Sequence, residues 1–204
     1  MSPQPATLEG RHVRLEPLAT AHHAALCRAG ADPETFRWFP NTVAGEAGMR
    51  DYIASGLADQ SQGRALPFAI RRLADDCIVG ATRFAAIELA HRRAEIGWTW
   101  LSGEARRTPV NTECKRLLLA HGFEQLGFNR IEFKTDSRNA ASRAALARIG
   151  ATEEGTFRNH MRMPDGSLRH SVWFSVIHEE WPRVRAHLDT LLARSLFFAA
   201  PVSA

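Results

Sequence analysis

Cysteine is scarce in this chain. Three residues, Cys27, Cys77 and Cys114, are widely spaced and odd in number, which argues against a disulfide framework and for a reducing compartment. They lack zinc spacing, and none of the scattered histidines pairs with a carboxylate in a metal-ligand pattern, so no metal is expected. Met1–Gly10 has no charged region leading into an apolar core, so no signal peptide is expected and a cytoplasmic location follows. No apolar run approaches the length needed to span a membrane. The net charge is +4, yet no dense Lys/Arg block or stripe of charge interleaved with aromatics exists, which argues against a nucleic-acid partner. Tyrosine is limited to Tyr52. Repeats, low-complexity segments and linkers are also missing.

What is present suits one soluble α/β domain. The chain has 204 residues, of which 45% are hydrophobic, enough for a substantial core. We expect a single domain over 8–194, with arms at 1–7 and 195–204. The basic residues are nearly all arginines and come in pairs: Arg71-Arg72, Arg92-Arg93 and Arg106-Arg107.

The last pair opens the stretch around which the chain is organised. A β-type run, Ala94–Leu101, leads to Arg106-Arg107 and then to an amphipathic helix ending at Gly127. Thr108 can cap that helix, and Pro109 fits its first turn, where a missing N–H costs nothing. Free N–H groups and the helix dipole make such a terminus an anion site, and the arginines add charge. Elsewhere, residues 1–10 read as a loose arm and His12–Pro17 as a short strand. Thr20–Gly30 reads as a helix capped by Thr20, and Gly45–Ser61 as another. Strands are expected at Leu66–Leu73, Cys77–Leu89, Ala94–Leu101 and Asn129–Thr135. In the third of these, strict alternation puts Ile96, Trp98 and Trp100 on one face and Glu95, Thr99 and Leu101 on the other. Asn139–Ile149 is an alanine-rich helix closed by Gly150. Thr156–Arg162 and Leu168–Ile177 flank Pro164-Asp165-Gly166-Ser167, a hairpin turn. Trp181–Ala193 is a final helix.

These pieces, in this order, resemble the GNAT superfamily of acyl-CoA N-acyltransferases, and more narrowly its RimJ/RimL-like branch. The residues carrying the resemblance are Ala94–Leu101, Arg106 through Glu113, Asn139-Ala140-Ala141-Ser142 with Gly150, Gly155 and the Pro164-Asp165-Gly166 hairpin; together they cover about residues 8–190. The resemblance implies a mixed, mostly antiparallel central sheet flanked by helices and splayed between the fourth and fifth strands, with acetyl-CoA in the V between them. It implies cofactor contacts from Trp98, Thr99, Trp100 and Leu101. Pyrophosphate contacts fall to Arg106, Arg107, Thr108, Pro109, Val110, Asn111 and Thr112, and further contacts to Asn139 and Ser142. The family pattern at the turn, Arg/Gln-x-x-Gly-x-Gly/Ala, is broken by Pro109 and Asn111. Proline donates no N–H, so the turn should lean on Arg106, Arg107 and the donors after Pro109.

Acetyl transfer to an amine needs a base for the amine, donors for the tetrahedral oxyanion and an acid for the leaving thiolate. Glu95 is the candidate base. A free glutamate titrates near ~4.3, and burial beside Trp98 and Trp100 would raise it; the alternative is a surface glutamate paired with Arg92 or Arg93. The tyrosine that many members use as the acid is absent, and the resemblance hands that role to Ser142. Phe36, Trp38 and Phe39 read as core filling or as one wall of an acceptor pocket, and His160 as a hairpin residue bordering it. Cys114, near a helix N-terminus, would have a lowered thiol pKa unless it is simply buried. The acceptor is expected to be an amine on a protein N-terminus or small molecule, neutral or acidic given the net basic chain. The competing reading is a non-catalytic CoA-binding or interaction protein, motivated by the broken turn and missing tyrosine. The apolar tail Leu196–Ala200 and the hairpin would supply a homodimer surface.

Overall fold

In a computed structural model, which describes residues 3–197, the chain forms one eight-stranded sheet with helices on both faces. The strands are β1 (Leu8–Glu9), β2 (Val13–Pro17), β3 (Leu66–Arg72), β4 (Cys77–Glu88), β5 (Arg93–Leu101), β6 (Arg130–Asp136), β7 (Thr152–Arg162) and β8 (Leu168–Ile177). Their spatial order is β1-β2-β3-β4-β5-β6-β8-β7. Every neighbouring pair is antiparallel except β5 and β6. The helices are α1 (His23–Ala29), α2 (Gly45–Ser61), α3 (Pro109–Ala120), α4 (Ala140–Arg148) and α5 (Trp181–Phe197). The mixed, mostly antiparallel sheet is the one expected, and α2 matches its expected bounds.

Two apolar cores sit on opposite faces. Under α3, α4 and α5, Val110, Cys114, Leu118, Leu119, Leu146 and Leu188 pack on Ile96, Leu101, Ile131 and Phe133. Under α1 and α2, Leu26, Met49, Tyr52 and Ile53 pack with Phe36 and Trp100. Helix α3 begins as its residues dictate: Thr108 Oγ accepts from the Val110 N–H at 3.3 Å and Pro109 stands at the first helical position. It runs on as a π-helical turn, His121–Gln125, and stops where Gly127 takes a positive φ of 65°.

Three expectations are corrected. The start of the chain is not wholly loose. Leu8 and Glu9 pair with Leu15 and Arg14 as a strand. The cause is Glu113 of α3, whose buried carboxylate accepts from the N–H groups of Arg11, His12 and Val13 at 2.9, 2.5 and 2.8 Å. A Cβ on Gly10 would come within 2.4 Å of that carboxyl carbon, so only glycine admits the contact. Thr20 does not cap a helix. It opens a 3-10 turn, Thr20–His22, whose preceding Ala19 N–H donates to His22 Nδ1 at 3.1 Å. Strand β7 starts four residues before the expected Thr156. The side chains of the apolar tail Leu196–Ala200 lie outside the described residues.

The Glu113 contact ties the first strands to the middle of the chain. Glu113→Ala is expected to lower unfolding free energy by roughly 2–4 kcal/mol, since it strips a charged acceptor from three backbone donors. It should also abolish hydrogen-exchange protection at Arg11–Val13. Chemical denaturation and amide exchange read both, and unchanged protection there would contradict the assignment.

Candidate functional site

The site begins where a ladder fails. β5 and β6 pair only at Arg93↔Arg130, Ala94↔Ile131 and Glu95↔Glu132; beyond Glu95 the two strands separate. These are the predicted fourth and fifth strands, displaced by one in number because β1 was not anticipated. A cleft of about 430 Å³ opens there, walled by β5 from Glu95 to Leu101 and by Phe133, Lys134 and Thr135 of β6. Residues of α3, α4 and the segment around Trp38 complete it.

A bulge on the other edge of β5 bends it away. In the β4 ladder, Arg83 faces Gly97 and Ala81 faces Trp100, so Trp98 and Thr99 together oppose Thr82. Trp98 takes the left-handed conformation, φ 54°, which is uncommon for a bulky residue. Three contacts hold it there. The Tyr52 hydroxyl donates to the Trp98 carbonyl at 3.0 Å. The guanidinium of Arg83, fully buried, lies 4.5 Å from the Trp98 ring and 5.0 Å from that of Tyr52. Thr82 and Thr99 join hydroxyls at 2.8 Å. The bulge also corrects the expected faces of this strand. Ile96 joins Leu101 in the core under α3, while Trp98 and Trp100 pack among Phe36, Phe39 and Tyr52 on the opposite face. The extra residue shifts the alternation by one.

Glu95 is buried and sits where the two strands separate. Its environment differs from the expected one: Glu95 Oε2 pairs with Lys134 Nζ at 2.8 Å. Arg93 goes instead to Glu88 and Glu132, and Arg92 donates to the Gly127 carbonyl. A Cβ on Gly97 would lie 2.5 Å from Glu95 Oε1, so glycine there leaves room for the carboxylate.

The predicted residues divide into two groups. Glu95, Trp98, Thr99, Trp100, Leu101, Arg106, Asn111, Asn139 and Ser142 line the cleft, as do Trp38 and Phe39. Arg106 is anchored at its rim: Nε donates to the Leu101 carbonyl at 3.1 Å and a terminal nitrogen to Thr35 Oγ at 2.8 Å. Asn139 caps α4, accepting from the Ser142 N–H at 3.1 Å, and both residues still face the cleft.

Other predicted residues stand apart from it. Thr108, Pro109 and Val110 line a separate cavity with Arg11, His12 and Arg72. Thr112 is buried, its hydroxyl accepting from Arg148 at 3.0 Å. Arg107 is exposed with φ 61°, outside the cleft lining. Phe36 is core, edge-on to Trp100 at 5.0 Å and to Phe39 at 5.4 Å. His160 contacts Ser171 Oγ at 2.9 Å through Nδ1 and also lies outside the lining. Burial first, and then the charges of Lys134 and Arg169, hold its pKa below the usual histidine value. Cys114 is inert by burial, which pushes its thiol up to about 12 and outweighs the helix terminus.

Sequence reasoning missed Lys115 and Lys134, which line the cleft, as does Arg169. A signal was available: Lys115 and Lys134 are the only two lysines in the sequence. Lys115 is buried on α3, its ammonium donating to Thr99 Oγ at 2.8 Å and lying 5.8 Å from the Phe133 ring. Burial brings its pKa down to about 8. Among the described residues no group of three or more His, Cys, Asp or Glu side chains is placed to hold a metal ion. No helix among them is long and apolar enough to cross a membrane.

Residues 12–152 match the Acetyltransferase (GNAT) domain family. A crystal structure from T. thermophilus, provisionally assigned as an acetyltransferase, superposes with a TM-score of 0.85 at 39% identity, covering 94% of this chain and 100% of that one. RimJ of Mycobacterium smegmatis, solved in complex with CoA-disulfide, gives a TM-score of 0.80 at 26% identity over 93% of this chain and 96% of its own. YdaF of Bacillus subtilis (strain 168), provisionally assigned as a ribosomal N-acetyltransferase, is 31% identical over 109 residues, which are 53% of this chain and 58% of YdaF. This chain thus spans under two thirds of that relative. The chain belongs to the GNAT acetyltransferase family.

The buried Lys115 gives a pH signature. Its folded pKa lies below the ordinary lysine value, so the unfolded state binds more protons between about pH 8 and ~10.5. Stability of the wild type should therefore rise, relative to Lys115→Met, by roughly 2–4 kcal/mol as pH goes from ~7 to ~10.5. Denaturation curves at several pH values measure this, and a flat difference would place the charge elsewhere.

Proposed function

We propose that this protein transfers an acetyl group from acetyl-CoA to a primary amine on a protein N-terminus or small molecule, the amine attacking directly while both substrates are bound. The observation that carries this reading is the cleft itself: a splayed strand pair whose opening holds a buried carboxylate, Glu95, at its vertex.

The residues present fit acetyl-CoA. Past Glu95 the β6-facing edge of β5 has no ladder partner and can accept an extended amide-bearing chain as an added strand. Leu146, Ile149 and Phe133 supply apolar wall. At the mouth, Arg106 and Asn111 line the cleft, Thr108 caps the Val110 N–H, and the N–H of Asn111 remains available in the first turn of α3. This supports a pyrophosphate site built from one anchored arginine and a helix terminus, although Pro109 and Asn111 replace the family's small residues. When bound, acetyl-CoA would supply an activated thioester.

The chain's own residues then divide the work. Glu95, held by Lys134, takes the proton from the incoming amine. Backbone N–H groups of β5 without a ladder partner can donate to a developing oxyanion. Ser142 at the start of α4 and the Lys115 ammonium both face the cleft and can donate to a departing thiolate. Most of the acceleration is positioning, since a thioester needs no covalent enzyme intermediate or metal. The non-catalytic alternative draws support from the altered turn and the missing tyrosine.

Glu95→Gln should lower turnover at least ~10-fold while leaving acetyl-CoA affinity within a factor of ~2, read by thiol release and by calorimetry. An unaltered rate and pH profile in this variant would remove Glu95 as the base. Arg106→Ala should weaken CoA binding by roughly 10- to 100-fold, a charge-assisted contact contributing about 1.5–3 kcal/mol. Arg107→Ala should not change it measurably, and equal effects at the two positions would overturn the account of the turn.

A further inference from the structure

The vertex of the cleft carries more positive charge than its carboxylates absorb. Glu95 is paired with Lys134. Asp136, fully buried, is taken by Arg138, whose Nε and terminal nitrogen donate to its two oxygens at 3.0 and 2.8 Å. That leaves Arg169. Its side chain is buried, with the residue 4% exposed, and it lines the same cleft as Glu95 and Lys134. Its hydrogen bonds go to neutral groups: Nε donates to Ser171 Oγ at 3.0 Å, and one terminal nitrogen donates to the Trp38 carbonyl at 3.3 Å. Among the described residues no carboxylate lies within ion-pair distance of it; Asp136 and Glu95 are near enough for their charges to act on it but are already engaged.

A buried guanidinium is costly unless a counter-ion meets it. Here the surroundings enforce its position. Ser171 Oγ accepts the Arg169 N–H and also shares a hydrogen bond with His160 Nδ1, 2.9 Å away. The Trp38 carbonyl fixes the second nitrogen, and Arg138 lies 5.3 Å from the face of the Trp38 ring. The fork is thereby aimed with one terminal nitrogen left over. A guanidinium so held suits a planar carboxylate.

Resting on the N-acetyltransferase reading, we propose that Arg169 is the acceptor-recognition residue and that the acceptor is a primary amine carrying a carboxylate of its own, which Arg169 binds while Glu95 faces the amine. The carboxylate can come from a free amino acid or from an acidic residue beside a peptide N-terminus; the shared chemistry is an amine and a carboxylate on one short molecule. No bond changes at Arg169: it binds the charge and leaves the acyl transfer to the groups already named.

The test compares matched acceptors with the full-length protein and acetyl-CoA, following thiol release. One arm sets L-serine against L-serinamide. The other sets a tetrapeptide beginning Ser-Asp, amidated at its C-terminus, against the same peptide beginning Ser-Asn. The carboxylate member of at least one pair should be used with kcat/KM on the order of 30-fold higher, and the pair that shows it names the source. Arg169→Gln should erase that preference by raising KM for the carboxylate acceptor, with KM for acetyl-CoA unchanged; Arg169→Lys should restore part of it. Equal use of both members in both arms overturns the proposal while leaving the acetyltransferase reading intact. Should no acceptor release thiol, thermal shifts decide: stabilisation by L-serine or the Ser-Asp peptide, absent for their amides and lost in Arg169→Gln, retains the anion site and rejects the acetyltransferase reading. Identical shifts for acid and amide reject the site.

Discussion

One constraint governs this structure: β5 cannot stay paired with β6 past Glu95. Paired strands lie about 4.8 Å apart, so an extended ligand between them needs roughly twice that separation, on the order of 10 Å. The bulge at Trp98 and Thr99 bends β5 on its β4 side, and the ladder to β6 ends just before it. Everything that maintains the bulge therefore maintains the cleft. Tyr52 reaches from α2 to the Trp98 carbonyl, and Arg83 is buried against both aromatic faces with none of its nitrogens hydrogen-bonded. A buried charge held mainly by ring faces is unusual. Asp59, 3.8 Å away, supplies its nearest ion partner. This arrangement explains why a chain with a single tyrosine places it in α2: it supports the site from behind.

The same geometry organises the chemistry. At the vertex the strands still touch, and the opposing walls bring Glu95 and Lys134 together. Toward the mouth the walls diverge, and α3 begins beside Arg106. Helix α3 serves both ends, since Asn111 in its first turn lines the cleft, Lys115 reaches Thr99, and Glu113 holds the first strands in place. Secondary elements with local capping carry the scaffold, whereas the polar groups lining the cleft are held by contacts distant in sequence.

That difference explains what could be read from the residues alone. Thr108-Pro109, Asn139 and Pro164-Asp165-Gly166 signal local structure through their own backbone chemistry, and each appears where expected. The order of elements and the splayed pair followed from the resemblance those signals completed. Glu95 was recognised by its strand, but its partner was not, because Lys134 is brought to it by a parallel pairing between strands far apart in the chain. The bulge was invisible: strict alternation put Ile96 beside Trp98, and nothing local announces that Tyr52 and Arg83 will hold Trp98 at positive φ. The start of the chain looked loose because Leu8-Glu9 is too short to show periodicity and its lock, Glu113, lies some hundred residues on. Lys115 and Lys134 could have been flagged by rarity, since a chain that otherwise uses arginine retains lysine only at these two positions, both in the cleft.

The central claim is that β5 beyond Glu95 is a strand edge completed by ligand. Amide hydrogen exchange resolved to single residues, with and without saturating CoA, tests it most directly. The account predicts strong added protection confined to Gly97–Leu101 and the first turn of α3, with little change in β4. CoA binding that leaves exchange in Gly97–Leu101 untouched would contradict it.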